Sequence, residues 1–220
     1  MRRPLIINFK NYIEASGDKS LELARAAQEV AVRLDAEIIL APPQPSIAII
    51  SRNVTLPVIC QHLDDAEVGS STGFTIAEVA KTYGIFGSLL NHSEHRIDLK
   101  TVDNLIKRMR KINLVSFVCA QTPKEVGAIA AFRPDFIAIE PPELIGTGKA
   151  VSKENPSIIT DSIKAASPSE SRVICGAGIT DMSDVATAIR LGAEGILVAS
   201  GVVKAANWHD KIEELVIGMR

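Results

Sequence analysis

Short apolar runs rich in β-branched residues recur along the whole chain. Most are nearly continuous rather than alternating with polar residues. The eight runs are LIINF from residue 5, EIILA from 37, LPVICQ from 56, GIFGSLLN from 84, LVSFVCA from 114, FIAIE from 136, RVICGAG from 172 and EGILVAS from 194. Continuous apolar runs of this length are typical of strands buried on both faces. The pattern therefore predicts eight buried strands.

Helical spacing separates these runs. One set of apolar residues falls at i, i+3, i+4, i+7 and i+11, the period of an amphipathic helix: Leu23, Ala26, Ala27, Val30 and Leu34. A second set repeats the spacing: Val102, Leu105, Ile106 and Met109. Asp181 is placed to cap a third helix, and Gly192 is placed to end it. Its apolar positions are Val185, Ala188 and Ile189. Residues 45–51 allow barely two turns.

Strict alternation of strands and helices predicts a parallel sheet with helices outside it. Two arrangements remain, an open doubly wound sheet and a closed barrel. Eight units favour the (β/α)8 barrel, although 220 residues is compact against about 250 for a typical one. No Ser/Gly/Pro-rich linker divides the chain, so we expect residues 1–220 to form a single domain.

Composition narrows the class of protein. The chain is 46% hydrophobic with a net charge of -2, which gives no general attraction to nucleic acid or anionic membranes. No apolar run approaches the roughly 18 residues of a spanning helix, and the start, MRRPLIINFK, lacks a signal-peptide cleavage site. The odd number of cysteines, each in or beside an apolar run, suits reduced buried thiols, so we expect a cytoplasmic protein.

Residues that carry chemistry follow several predicted strands. Lys10 and His92 come just after an apolar run, Glu140 ends one, and small-residue turns at 176–178 and 199–201 lie at the ends of the last two runs. Singly, each has a bland explanation: a solvated cation, a capping histidine, a strand-end carboxylate, a tight turn. In a barrel, however, the carboxyl ends of the strands form one rim, where active sites are built. Their shared position therefore favours one site.

The motifs at these strand ends resemble those of the triosephosphate isomerase family. They are NFKNY after strand 1, NHSEHR after strand 4 and EPPELIGTGK after strand 6. The compact length, the PPE sequence, CGAGI and GAEGILVASGVVKA are similar to its archaeal branch. The resemblance spans the full chain. It implies a TIM barrel that interconverts dihydroxyacetone phosphate and D-glyceraldehyde 3-phosphate, in glycolysis and gluconeogenesis, without metal or cofactor.

The resemblance also implies roles for individual residues. Glu140 would remove the proton next to the carbonyl and return it to the neighbouring carbon. An uncharged His92 would hydrogen-bond the carbonyl oxygens, and Lys10 would offset the charge of the enediolate. Glu94 and Asn11 would support them, and Glu94 would lie near the lysine. The implied substrate-binding positions are Asn8, Lys10, Ile145, Gly146, Gly178, Ala199 and Ser200.

Two further segments carry implied roles. Pro141 to Glu143 would be the hinge of a lid whose tip, residues 144–148, covers the substrate. Thr72, in GSSTG after strand 3, matches a loop that reaches into the neighbouring subunit. A homodimer is implied, and the archaeal branch often forms tetramers.

The sequence departs from the family pattern at four places. Many members carry Tyr-Gly-Gly-Ser after strand 7, which latches the closed lid, whereas this chain has Cys175 to Gly178, so the latch must differ. Phe74 stands where a glutamate is common, and His95 where arginine or asparagine is usual. Ala199 and Ser200 replace two common glycines, which is acceptable if only their N–H groups are used.

The sequence raises three other hypotheses. Another phosphate-binding barrel, of the aldolase or indole-glycerol-phosphate type, fits the last two motifs, but a Schiff-base aldolase needs a lysine where Glu140 stands. A metal site of His92, Glu94 and His95 is disfavoured because residues so close on one turn rarely converge as ligands. A sugar-phosphate sensor would need phosphate contacts but no base.

Overall fold

The computed structural model describes residues 2–141 and 154–220. Its strands are β1 (Leu5–Asn8), β2 (Ile38–Ala41), β3 (Ile59–Cys60), β4 (Gly87–Leu90), β5 (Val115–Ala120), β6 (Phe136–Ile139), β7 (Arg172–Cys175) and β8 (Ile196–Val198). Each strand lies within one of the eight predicted apolar runs, so this prediction is confirmed.

Helices separate the strands as expected. They are α1 (Asp18–Leu34), α2 (Ile47–Asn53), α3 (Ala77–Lys81), α4 (Leu99–Lys111), α5 (Pro123–Ala130), α6 (Pro156–Ala166), α7 (Met182–Arg190), α8 (Ser200–Val203) and α9 (Trp208–Gly218). Two 3-10 turns, Ile13–Ala15 and Gln44–Ser46, precede α1 and α2. Among the helices of the described residues, none is long and apolar enough to cross a membrane.

The sheet is parallel throughout and runs in the order β2-β1-β8-β7-β6-β5-β4-β3. Its two outer strands also meet. Leu40 of β2 forms a parallel bridge with Val58, and the Leu40 amide donates to the Pro57 carbonyl at 2.9 Å. The sheet is therefore a barrel with a thin seam between β2 and β3. This confirms the closed (β/α)8 barrel over the open sheet.

Two apolar layers explain why the strand sequences are nearly continuous in hydrophobicity. Side chains from alternate strand positions fill the barrel interior: Ile6, Ile39, Ala41, Ile59, Leu89, Phe117, Cys119, Phe136, Ala138, Ile174 and Leu197. The intervening positions, such as Leu5 and Ile7, pack against the surrounding helices. Phe117 and Phe136 stack with their ring centroids 4.8 Å apart. Both faces of each strand are thus buried.

The amphipathic helices form where their periodicity placed them. All four predicted apolar residues of α4 are buried. In α1 the buried apolar face is Leu23, Ala24, Ala27, Val30 and Ala31. Ala26 and Leu34 are only partly buried, so the face is rotated slightly from the expected one. The helix itself is confirmed.

The predicted boundaries of α7 are also confirmed. The Asp181 side chain accepts a hydrogen bond from the Asp184 amide, and the Asp184 side chain bonds back to the Asp181 amide, forming a capping box. Gly192 follows the end of the helix with φ of 102°, a conformation that favours glycine. The helix over the expected short segment, α2, has seven residues.

We predict that Gly87→Ala destabilises the barrel severely. A Cβ at Gly87 would lie 2.0 Å from the carbonyl oxygen of Val115 on the neighbouring strand, so the strands would have to separate. We expect the free energy of unfolding to fall by about 3 kcal/mol, measured by chemical denaturation. The control is Gly127→Ala in α5, whose Cβ would make an ordinary 3.7 Å contact with Ala165. Equal stability of the two variants would contradict this packing.

Candidate active site

The expected residues meet at one end of the barrel. Asn8, Lys10, His92 and Glu140 line a single cavity at the carboxyl ends of the strands, together with Gly176, Gly178, Ile179, Thr180 and residues 197–201. They come from β1, β4, β6, β7 and β8 or from the turns directly after them. The parallel barrel alone brings these distant parts of the chain together.

Lys10 lies in a backbone conformation that few lysines adopt. Its φ is 48°, in the left-handed region, which costs about 1–2 kcal/mol for a residue with a Cβ. Two side chains hold the turn. The Lys10 amide donates to Oδ1 of Asn8 at 2.9 Å, and Nε2 of Gln61 donates to the Lys10 carbonyl at 2.9 Å. These two hydrogen bonds therefore fix the backbone from which the Lys10 side chain extends.

The Lys10 ammonium is mostly buried and paired. Its side chain is 14% exposed, and Nζ donates to Oε1 of Glu94 at 2.8 Å. Glu94 itself is far more exposed. The pair places a positive charge at the cavity and a compensating carboxylate on its outer side.

His92 follows a second strained turn, since Asn91 has φ of 59°. The Asn91 side chain braces this turn by donating to the Cys119 carbonyl at 2.9 Å and accepting from the Ile97 amide at 3.1 Å. The Glu94 amide donates to Nδ1 of His92 at 3.1 Å. A nitrogen that accepts an amide proton carries none itself, so the imidazole is neutral and its proton is on Nε2.

Glu140 is almost completely enclosed. It is 3% exposed, and its amide donates to the Ala120 carbonyl at 2.8 Å, so the residue continues β6. Oε1 lies 3.5 Å from Nε2 of His92. Oε2 is buried without a hydrogen-bond partner among the described residues. Burial raises the pKa of the Glu140 carboxyl, and the positive charge of nearby Lys10 opposes that rise only in part.

The opposite side of the cavity consists of small residues. Gly178 has φ of 72°, which favours glycine, and Ala199 and Ser200 lead into α8. The turn after β7 is tied down from behind. The Thr180 amide and hydroxyl both donate to Asp184 at 2.9 Å, and Nζ of Lys211 donates to the Thr180 carbonyl at 3.0 Å.

The other expected residues lie elsewhere. Asn11 lines an adjoining hollow beside the cavity, with His62, Gly73, Thr75 and His95 among its neighbours. Thr72 is exposed in the loop between β3 and α3. Pro141 is described and buried. Ile145, Gly146 and the rest of the expected lid, from 142 to 148, lie outside the described residues.

The three candidate metal ligands, His92, Glu94 and His95, contact different partners. Nδ1 of His92 is occupied by an amide, Glu94 pairs with Lys10, and His95 stacks on His62 at 3.7 Å between ring centroids. In the described part of the chain, ligand atoms come together only in His209, Asp210 and Glu213 on α9. There the Glu213 carboxylate pairs with the Arg33 guanidinium at 2.7 Å, so a side chain of this protein already neutralises one of the three ligands.

Two residues of the site were not predicted from the sequence. Gln61 directly follows β3 and ends the third apolar run, as Glu140 ends the sixth, so the rule that found Glu140 could have found it. Cys119 faces the barrel interior on β5, and its thiol is near enough to the Glu140 carboxyl for each group to shift the pKa of the other. Burial raises the pKa of this thiol well above its usual value. Only the pairing register of β5 and β6 reveals that contact.

The fold and rim together define a class: a (β/α)8-barrel enzyme with a lysine, a neutral histidine and a buried glutamate around one cavity at the carboxyl ends of its strands. The sequence model of the family described as "Triosephosphate isomerase" matches residues 4–215. This chain belongs to the triosephosphate isomerase family.

Similar proteins come from archaea. A triosephosphate isomerase of Methanothermus fervidus is 41% identical over 223 residues, covering 100% of both chains. One of Cenarchaeum symbiosum is 44% identical over 98% of this chain and 97% of its own. One of Archaeoglobus fulgidus is 45% identical over 96% of each. These matches confirm the resemblance to the archaeal branch.

We predict that Glu140→Gln changes the pH dependence of stability. Above the raised pKa of Glu140, the carboxyl is ionised in both folded and unfolded parent, and the buried charge lowers stability. As the pH falls toward the usual value of 4.5, the folded parent takes up the proton first and this loss is relieved. The glutamine variant cannot titrate here. Its stability advantage should therefore be largest near pH 8 and shrink on acidification.

Chemical denaturation of parent and Glu140→Gln at several pH values measures this difference. Its slope against pH should reach up to about 1.4 kcal/mol per unit where the folded carboxyl titrates. A difference that stays constant from pH 8 to pH 5 would contradict the raised pKa.

Proposed function

We propose that this chain interconverts dihydroxyacetone phosphate and D-glyceraldehyde 3-phosphate by moving a proton between adjacent carbons through an enediolate. The observation that carries the proposal is the buried Glu140 carboxylate, 3.5 Å from Nε2 of a neutral His92. Lys10 lines the same cavity. The relatives named triosephosphate isomerase support this substrate.

Glu140 is the proposed base. A carbon next to a carbonyl is a weak acid, so it needs a base whose basicity is not reduced by water. Burial provides this, because it raises the pKa of the carboxyl. Oε2, which lacks a hydrogen-bond partner among the described residues, is free to receive the substrate proton. The same oxygen can then return the proton to the neighbouring carbon.

His92 and Lys10 are the proposed partners of the developing oxyanion. With Nδ1 held by the Glu94 amide, His92 can offer only Nε2–H, which suits an oxygen that alternates between carbonyl and enediolate. Lys10 adds a positive charge in a mostly buried site, where electrostatic interactions are stronger than in water. Both groups are positioned before substrate arrives, which lowers the barrier most effectively.

The small residues opposite are the proposed phosphate grip. Backbone amides near Gly178 and at Ala199–Ser200 can donate to phosphate oxygens without a side chain in the way. Both segments line the cavity. Asn8 adds to substrate binding, although its Oδ1 is already taken by the Lys10 amide. By resemblance, Ile145 and Gly146 complete the grip.

We predict that Glu140→Asp lowers kcat by about 100-fold or more, because withdrawing the carboxylate by about 1 Å is expensive in rate. A coupled assay of triose phosphate interconversion, run with and without a chelator, measures this. The parent should be active and insensitive to the chelator, since the proposed step uses no metal or cofactor.

The matched control is Glu170→Asp, the same change at an exposed residue before the amino end of β7. It should leave kcat unchanged. Near-normal kcat for Glu140→Asp would remove Glu140 from the role of base. A parent without activity would remove the proposed function itself.

The chain is also proposed to assemble with itself, as a homodimer or homotetramer. The loop around Thr72 carries two exposed apolar side chains, Val68 and Phe74. Beside the active-site cavity lies a hollow lined by polar residues such as Asn11, Glu94 and His95. We propose that this loop enters the hollow of a neighbouring subunit.

We predict that Phe74→Asp weakens this assembly. Phe74 is 56% exposed in the single chain, and a charge there would resist burial in an interface. Light scattering of the parent should give two or four times the chain mass of 23.6 kDa. The variant should shift toward the single-chain mass. Ile217→Asp, at an exposed apolar position on α9, is the control and should not shift it.

A cytoplasmic location is proposed from the thiols. Cys60, Cys119 and Cys175 are all buried and unpaired. Free buried thiols in place of a disulfide framework suit a reducing compartment.

A further inference from the structure

Gly176, the residue after β7, lies directly against the Glu140 side chain. A Cβ built at Gly176 would be 2.7 Å from Cγ of Glu140, 3.1 Å from Oε1 and 3.2 Å from Cδ. These are its three nearest atoms, and all belong to one side chain. Separations this short overlap the van der Waals radii of carbon and oxygen. Any side chain at position 176 would therefore displace the carboxylate.

Neither backbone can easily move to relieve such a contact. The Gly176 amide donates to the Ile139 carbonyl at 3.0 Å, and the Glu140 amide donates to the Ala120 carbonyl at 2.8 Å. Ile139 and Cys175 are paired in the β6–β7 ladder. The two residues are thus fixed by the barrel wall on both sides. The change would have to come from the Glu140 side chain.

That side chain has little free space in its observed position. It is 4% exposed, with His92 on one side and the Cys119 thiol close by. A shift away from β7 would alter the 3.5 Å separation between Oε1 and Nε2 of His92. It would also move the carboxylate relative to any substrate in the cavity.

The glycine is not required by the turn itself. Gly178, two residues later, has φ of 72° and needs glycine for its backbone. Gly176 is not among the residues with positive φ. An alanine could adopt the Gly176 backbone without strain, so what the missing Cβ provides is space for Glu140.

We propose that Gly176 is a positioning residue for proton transfer, which holds the Glu140 carboxylate in its reactive place by leaving the volume that its Cγ and Cδ occupy. This inference rests on the proposed role of Glu140 as the base. Gly176 touches the base and acts through it.

The first test is Gly176→Ala, with Gly127→Ala as the matched control. We expect kcat to fall by about 100-fold in the first variant, since displacing a reacting group by about 1 Å costs that much. KM should stay within a few-fold, because the amides near Gly178 and Ala199–Ser200 still bind phosphate. Gly127→Ala should keep the parental kcat. A normal kcat for Gly176→Ala would overturn the inference.

The second test uses Glu140→Ala, which removes the atoms that the new Cβ would strike. In the parent, we expect Gly176→Ala to lower Tm by about 5 °C through overpacking. In the Glu140→Ala background, the same change should leave Tm nearly unaltered. An equal loss of Tm in both backgrounds would mean that alanine disturbs something other than Glu140, and the inference would fail. This comparison still decides if Gly176→Ala folds too poorly for kinetics.

The two proposals fail differently. If Glu140→Ala kept the parental kcat, Glu140 would not be the base, and the proposed function of this residue would fall whatever Gly176→Ala did. If Glu140→Ala lost activity while Gly176→Ala kept it, the base would stand and only the positioning role would be rejected.

Discussion

A carboxylate has to remain available for chemistry in a place that almost excludes water, and the rest of the site is organised by that constraint. Moving a carboxylate out of water costs several kcal/mol, and the Glu140 side chain is 4% exposed. The positive charge of neighbouring Lys10 opposes the resulting rise in its pKa. The barrel walls fix the backbone of each group. Loops alone would not hold such a group against its tendency to return to solvent.

Much of the fold was predictable because the barrel imposes a period on the sequence. Strands buried on both faces must be apolar at nearly every position, and the eight runs show this directly. The exact buried face of α1 was not predictable. Ala24 and Ala26 are both small and apolar, and only the shape of the barrel surface selects Ala24. The short length of β3, two residues, also depends on its neighbours rather than on its own sequence.

In the candidate site, too, some residues could be predicted from the sequence and others could not. Lys10, His92 and Glu140 could be found from their positions after strands, because parallel strands deliver their ends to one rim. The Glu94–Lys10 pair was expected only from the family resemblance, and the two residues do lie 2.8 Å apart. Side-chain contacts between neighbouring strands could not be predicted from the sequence. Cys119 beneath Glu140 and Gly176 against it depend on register, and a glycine in a turn gives no sign that a neighbour needs its empty space.

The seam between β2 and β3 links the integrity of the barrel to the placement of its lysine. Backbone pairing there is thin: among the described residues an isolated parallel bridge joins Leu40 and Val58. The Gln61 amide group spans the gap from above, because Nε2 donates both to the Ala41 carbonyl at the end of β2 and to the Lys10 carbonyl. The Gln61 side chain therefore links the β2 end of the barrel wall to the turn that carries Lys10. Local opening of the barrel at this point would release the turn that carries Lys10. Unfolding of the seam between β2 and β3 and displacement of the Lys10 ammonium from the cavity would therefore begin at the same place.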